Sequence, residues 1–211
     1  MKTLLPLMID FADKPVLVFG GGGLALAKTQ ILCGAGARVT VIGERFVKGF
    51  DKLPADLRDM GLPGDLSFVS DAFFVVAATN DKKMDSTIKG ECHRLGVLCN
   101  SVDDLSSEVH FPSMVSRGPI RISISSGGAS PGLSRMARLE IEKMIGPEWG
   151  DMAKLQAHAR TELKNTCRSK EKRKAVIGMI LKDRDIWNLL KEKKIDSAMD
   201  TMQRRYLGDM R

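Results

Sequence analysis

The stretch VLVFGGGGLALAK, residues 16–28, most constrains the fold of this chain. A short apolar run breaks into four consecutive glycines and resumes as a helix-forming segment. An unbroken apolar run suits a strand buried on both faces. Leu24, Ala25, Ala27, Lys28, Ile31 and Leu32 fall at helical spacing, with Gly34 and Gly36 as the stop. ARVTVIG, residues 37–43, then reads as a second buried strand. Strand, glycine turn, helix and strand within about 30 residues make a βαβ unit, whose crossover gives a parallel sheet.

Gly20, Gly22 and Ala25 fit the spacing G-x-G-x-x-A. The first glycine permits a tight turn, the second lets the backbone approach a pyrophosphate, and the small third residue allows close helix–sheet packing. The first-turn N–H groups of Gly23, Leu24 and Ala25 would then meet the phosphates of a dinucleotide. An acid at the end of the second strand completes such a site by holding ribose hydroxyls, and Glu44 stands close to that position. Arg45 beside it would instead suit the 2′-phosphate of NADP, so the reading is NAD with NADP open.

DAFFVVAATND and VLCNSVDD are two more apolar runs with polar ends, separated by the helical stretch KKMDSTIKGECHRLG. Ligands of doubly wound sheets sit at the carboxyl ends of the strands. That rim would gather Thr79, Asn80, Asp81, Asn100, Asp103 and Asp104 beside the glycine turn. After Pro112 the pattern changes. SMVS and IRISIS alternate across Arg-Gly-Pro, as in a hairpin, and SPGLSRMARLEIEKMIG follows as a helix opened by Ser130 and Pro131. Past Gly146-Pro147 three charged stretches read as helical: DMAKLQAHARTELKNTC, EKRKAVIGMILKD and DIWNLLKEKKIDSAMDTMQRRYL. The expected fold class is α/β, a Rossmann-type parallel sheet followed by a small α+β segment and a helical C-terminal domain. The boundaries are 1–112, 113–149 and 150–211.

The net charge of +7 is uneven, because residues 151–211 carry 16 Lys+Arg against 9 Asp+Glu. A basic tail suits an anionic partner, but a single Tyr and no basic–aromatic interleaving speak against nucleic acid. No run approaches the roughly 20 apolar residues of a membrane span. The opening MKTLLPLMIDFADK has its short apolar stretch interrupted by Pro6, so it reads as a first strand or lead-in and the protein as cytoplasmic. Cys33, Cys92, Cys99 and Cys167 lack CxxC spacing, and His93, His110 and His158 lack HxxxH spacing. They read as singletons, with no metal site.

Taken in order, LPLMIDFADKPVLVFGGGG, AGARVTVI, VVAATND, LCNSVDD and PSMVSRGPIRISISSGGASPGLSRMARLEIEKMI resemble the precorrin-2 dehydrogenase family, the N-terminal module of siroheme synthases. The resemblance runs from about residue 4 to 149. It implies oxidation of precorrin-2, a tetrapyrrole ringed by acetate and propionate groups, to sirohydrochlorin with NAD as hydride acceptor. It also implies a homodimer formed through residues 113–149. Asp103 matches the functional aspartate of N-x-V-D and is the candidate catalytic group. Ser125, Ser126, Gly127 and Gly128 match the family's serine-glycine loop. With Arg135 they are candidates for holding substrate carboxylates. Some relatives also insert iron, and some are fused to a methyltransferase domain for which 211 residues leave no room. Two alternatives stay beside the dehydrogenase: a bifunctional dehydrogenase and ferrochelatase, and an NAD-sensing module without catalysis.

Overall fold

The computed structural model describes residues 4–61, 64–102, 104 and 106–208. The chain forms two compact units, one spanning Leu5–Phe111 and one built from Pro112–Arg211.

The first unit is a five-stranded parallel sheet of β1 (Pro15–Phe19), β2 (Arg38–Gly43), β3 (Ala55–Asp59), β4 (Phe74–Ala77) and β5 (Leu98–Ser101). The strand order is β3-β2-β1-β4-β5. Side chains alternate across the sheet, so each strand feeds both faces. Val16, Val18, Val39, Val41, Phe74 and Val76 point to one face, where Ala25 and Leu32 of α1 (Gly23–Gly34) cover them. Phe19, Ile42, Val75, Ala77 and Cys99 point to the other, beneath Ile88 and Cys92 of α2 (Lys82–Leu95). This two-sided burial is why the strands read as continuous apolar runs.

Two helix ends match the glycine signals. Gly36 (φ 83°) and Gly96 (φ 71°) take left-handed backbone. The N–H of the next residue, Ala37 or Val97, reaches back to Leu32 O (3.1 Å) or Cys92 O (2.9 Å). Other expectations are corrected. β3 was not foreseen, because its residues ADLRD are mostly exposed and carry no apolar run. Of the two readings of the opening, a first strand or a lead-in, the strand is excluded, since Leu4 to Phe11 form none. Cys92 and Cys99 are not singletons: their thiols meet in the core, and the hydrogen bond that the Cys99 thiol donates to Cys92, together with burial, pushes the Cys99 thiol up.

In the second unit, β6 (Ser113–Arg117) and β7 (Ile120–Ile124) pair antiparallel around a two-residue loop. α3 (Pro131–Met144) follows, and Arg117 ties the hairpin to its end by donating to Ile145 O (2.8 Å). A helical bundle completes the unit: α4 (Pro147–Thr166), α5 (Lys170–Lys182), α6 (Arg184–Lys191) and α7 (Ile195–Met202). Its core takes Met152, Leu155, Ala159 and Leu163 from α4, Val176 and Ile180 from α5, Ile186 and Leu190 from α6, and Ala198 and Met202 from α7.

The stretch read as one helix from residue 185 onward is two, α6 and α7. Lys193 breaks it with φ 59°, while Lys194 N–H returns to Leu189 O (2.9 Å) and Lys193 N–H to Leu190 O (3.0 Å). This is the hydrogen-bond pattern of a glycine stop, with a lysine in the left-handed position.

A candidate dinucleotide-binding site

In a parallel sheet every strand ends on the same rim, and the order of this one reverses between β1 and β4. Gly20 leaves β1 at that point with φ 118°, a conformation natural only to glycine. A Cβ there would overlap the carbonyl of Ala78, just past β4. At Gly21 a Cβ would overlap the carbonyl of Arg45, just past β2. Two hydrogen bonds close the approach, Gly20 N–H to Ile42 O (2.8 Å) and Val47 N–H to Gly21 O (2.9 Å). Gly43 needs the same bareness, since its Cβ would stand 3.1 Å from Gly21 N. The ends of three strands thus meet backbone to backbone.

Gly22 starts α1 in extended backbone, and a Cβ on it would lie 3.2 Å from the Asn80 side-chain amide. A Cβ on Gly23 would meet nothing within 4 Å. The helix begins with no side-chain cap and no acid in its first turn. Leu26 N–H bonds Gly22 O (2.9 Å), while the N–H groups of Gly23, Leu24 and Ala25 have no carbonyl within the helix to meet. Open space over a bare backbone, facing the positive end of an uncapped helix, fits the pyrophosphate of a dinucleotide.

Glu44 and Arg45 follow β2 on the same rim, both exposed. Past β4, Thr79 works mainly to hold its loop. Its N–H (3.0 Å) and hydroxyl (2.7 Å) both donate to Oδ1 of the buried Asp85, tying the strand end to α2. Asp81 caps α2 by accepting from Lys83 N–H (2.8 Å) and Met84 N–H (3.2 Å). Between them Asn80 takes φ 66°, left-handed backbone that asparagine tolerates better than most residues.

At the end of β5 the buried Asn100 donates to Val109 O (2.8 Å), and Ser101 N–H donates to Ser107 Oγ (2.9 Å). Asp104 is paired with Lys89 and accepts Ser106 N–H (2.7 Å). Lys89 and then Ser106 hold its carboxyl at about 2. Asp103 lies outside the described residues.

The rim therefore brings together Gly20, Gly22, Gly23, Leu24, Ala25, Glu44, Arg45, Thr79 and Asn80. Ser125, Ser126, Gly127, Gly128 and Arg135 belong to the other unit. There Ser125 Oγ accepts Gly127 N–H (3.1 Å) and Ser126 Oγ accepts Ser130 N–H (3.0 Å). Ser130 in turn caps α3 at Leu133 N–H (3.2 Å), and Arg135 is exposed one turn on. Three residues of the first site escaped the sequence reading. Gly21 and Gly43 could have been suspected from the glycine run and the strand end, whereas nothing in the sequence marks Asp85.

The family described as "Putative NAD(P)-binding" matches residues 7–113. A siroheme synthase of Buchnera aphidicola is 39% identical over 163 residues, which are 76% of this chain but 34% of that protein. The chain thus spans about a third of the length of that relative. A precorrin-2 dehydrogenase of Methanosarcina barkeri is 31% identical over 196 residues, covering 89% of this chain and 87% of that one. Among solved structures, SirC, a precorrin-2 dehydrogenase, superposes with a TM-score of 0.75 over 94% of this chain and 100% of that chain, at 21% identity, a likeness of fold. A glycine cradle at the switch point of a 3-2-1-4-5 sheet, joined to sequence identity along nearly the whole of one relative, places this chain in the precorrin-2 dehydrogenase family.

Proposed function

We propose that the chain oxidises precorrin-2 to sirohydrochlorin with NAD as hydride acceptor, working as a cytoplasmic homodimer. The observation that carries this reading is the bare, uncapped glycine turn at the rim of a chain that covers 87% of a precorrin-2 dehydrogenase. Bound NAD supplies the ring carbon that takes the hydride. The N–H groups of Gly23, Leu24 and Ala25 hold its pyrophosphate, while Gly20 and Gly22 keep side chains out of the way. Glu44 accepts from ribose hydroxyls, with Arg45 beside it for a 2′-phosphate. Thr79 and Asn80 shape the rim beyond β4.

Oxidation also releases a proton, and Asp103 is the group proposed to receive it. Its neighbour Asp104, tied to Lys89 and held at about 2, is a poor proton acceptor at neutral pH. Ser125, Ser126, Gly127, Gly128 and Arg135 take substrate carboxylates. For the dimer, support comes from Leu133, Met136, Leu139 and Met144 of α3 and Met114 of β6, large apolar side chains left exposed within 113–149. No helix among the described residues is long and apolar enough to cross a membrane.

The test is anaerobic turnover of precorrin-2 with NAD, followed by the visible spectrum of sirohydrochlorin, with Asp103→Asn in parallel. Conversion by the wild type that drops at least about 100-fold in the variant is expected, in keeping with the loss of a general base. Tight NAD binding without conversion would instead favour a nucleotide sensor. Unchanged turnover in the variant would remove Asp103 from the chemistry.

A further inference from the structure

We infer that the corner between α4 and α5 is a capture surface for the polycarboxylate substrate; this inference rests on the dehydrogenase reading above. Residues 112–211 carry 21 Lys+Arg against 12 Asp+Glu, a net +9, while residues 1–111 carry 12 against 14, a net −2. The excess is concentrated in one place. KNTCRSKEKRK, residues 164–174, holds Lys164, Arg168, Lys170, Lys172, Arg173 and Lys174 against the single acid Glu171. It runs from the last turn of α4 through the connection into the first turns of α5.

The one acid of this corner and one of its arginines are engaged within the connection itself. Arg173 donates to Cys167 O (2.7 Å) and Arg168 O (2.9 Å), fixing the connection from inside. Glu171 accepts from Ser169 Oγ (3.0 Å). The other five cations are exposed, and no ion pair among the described residues engages them. Elsewhere in the same unit several cations are paired, as in Arg138–Glu142 (2.7 Å), Lys143–Glu140 (2.7 Å) and Arg205–Asp183 (3.0 Å), and exposed ones such as Lys182, Arg184, Lys191 and Arg204 are spread along the sequence rather than gathered in one segment. Lys170 and Lys172 in the first turn of α5 oppose the helix dipole, and Lys170 meets the like charge of Lys174 one turn on. They cost the fold stability, so their use lies outside it.

A concentrated positive field raises the local concentration of an anion and its encounter rate. The shape of the patch selects the anion. Eleven residues on one corner offer the footprint of a single small polyanion rather than a track along many phosphates. Stacking platforms for bases are missing from the segment, since KNTCRSKEKRK holds no aromatic residue. A tetrapyrrole ringed by acetates and propionates has the charge density that this corner lacks.

The experiment replaces Arg168, Lys170, Lys172 and Lys174 together by Gln, leaving Arg173 and Glu171 in place. Its control replaces Lys182, Arg184, Lys191 and Arg204, so that both variants lose four charges from the same unit. At low ionic strength the corner variant should lose about 5–10-fold in kcat/KM for precorrin-2. Its kcat and its KM for NAD should hold, and the control should change by less than about twofold. The difference should vanish near 1 M salt, where the screening length is about 3 Å. Equal losses in both variants, or none in either, would overturn the inference. So would lost retention on immobilised DNA with unchanged precorrin-2 kinetics. Binding of uroporphyrin, an unreactive polycarboxylate porphyrin, is measured by fluorescence alongside. A wild type that binds it through the corner yet turns over no precorrin-2 would sink the dehydrogenase reading and spare the capture surface.

Discussion

A methyl group at position 21 would overlap the Arg45 carbonyl, whereas one at position 23 would meet open space. These two glycines, two residues apart, separate what the fold requires from what a ligand requires. Gly21→Ala forces three strand ends apart, an overpacking that costs about 1–3 kcal/mol and lowers the melting temperature by several degrees. Gly23→Ala should melt like the wild type, because no protein atom is in its way. It should nevertheless weaken NAD binding about 10-fold or more by filling the space over the turn, read by titration calorimetry. Full NAD affinity in Gly23→Ala would mean that the pyrophosphate does not lie there. The fingerprint spacing pointed to Gly20, Gly22 and Ala25 but passed over Gly21. Its need is set by Arg45, a residue 24 positions away, and such a need appears only when the strands are side by side.

At the scale of the element, α6 shows how one capping residue can organise a terminus. Asp183 accepts Asp185 N–H (2.9 Å) and Ile186 N–H (3.2 Å) at the start of α6. It also accepts the Tyr206 hydroxyl (2.8 Å) and Arg205 (3.0 Å) from the helical turn Gln203–Leu207. Burial pushes its carboxyl up, but the Tyr206 hydroxyl, Ile186 N–H, Arg205 and Asp185 N–H together outweigh burial and hold it below the usual carboxylate range.

A folded value below the unfolded one means that this contribution is complete above about pH 4 and lost as the pH falls through the folded value. Asp183→Ala should lower stability by about 1–3 kcal/mol in urea unfolding at pH 7. Asp183→Asn keeps a capping oxygen and should cost less, and its deficit against wild type should close below about pH 4. A deficit that persists unchanged at pH 2.5 would show that the charge is not what stabilises the terminus.

The cap itself was open to prediction, since Asp before an apolar helical stretch is a start signal. The stop at Lys193 was not. Residues 191–194 are KEKK, without Gly or Pro, and packing of Ile186 and Leu190 with Ala198 and Met202 decides where the chain turns.

For the molecule as a whole, α3 presents an apolar face that the described residues leave exposed. Leu133 (54% exposed), Met136 (57%) and Met144 (77%) would sit in water in a single copy. Met136→Lys with Leu139→Glu should turn the dimer proposed through 113–149 into a monomer in sedimentation. Helical content should be kept, because both side chains are already exposed. A wild type that sediments as a monomer at micromolar concentration would remove the dimer.

By itself the sequence determined the βαβ core, the glycine turn, the hairpin and the helix that follows it. Each of these is written in local chemistry: apolar runs, glycines at left-handed positions and Ser130 before Pro131. Tertiary structure alone decided β3, an edge strand recruited by pairing with β2 rather than by any apolar signal of its own. It also decided the meeting of Cys92 with Cys99, the clasp of Asp85 on Thr79 and the crowding of Gly21. The physical reason is one and the same. Periodicity and turn chemistry act over a few residues and are legible along the chain, whereas pairing and close approach depend on which distant segments the fold brings alongside.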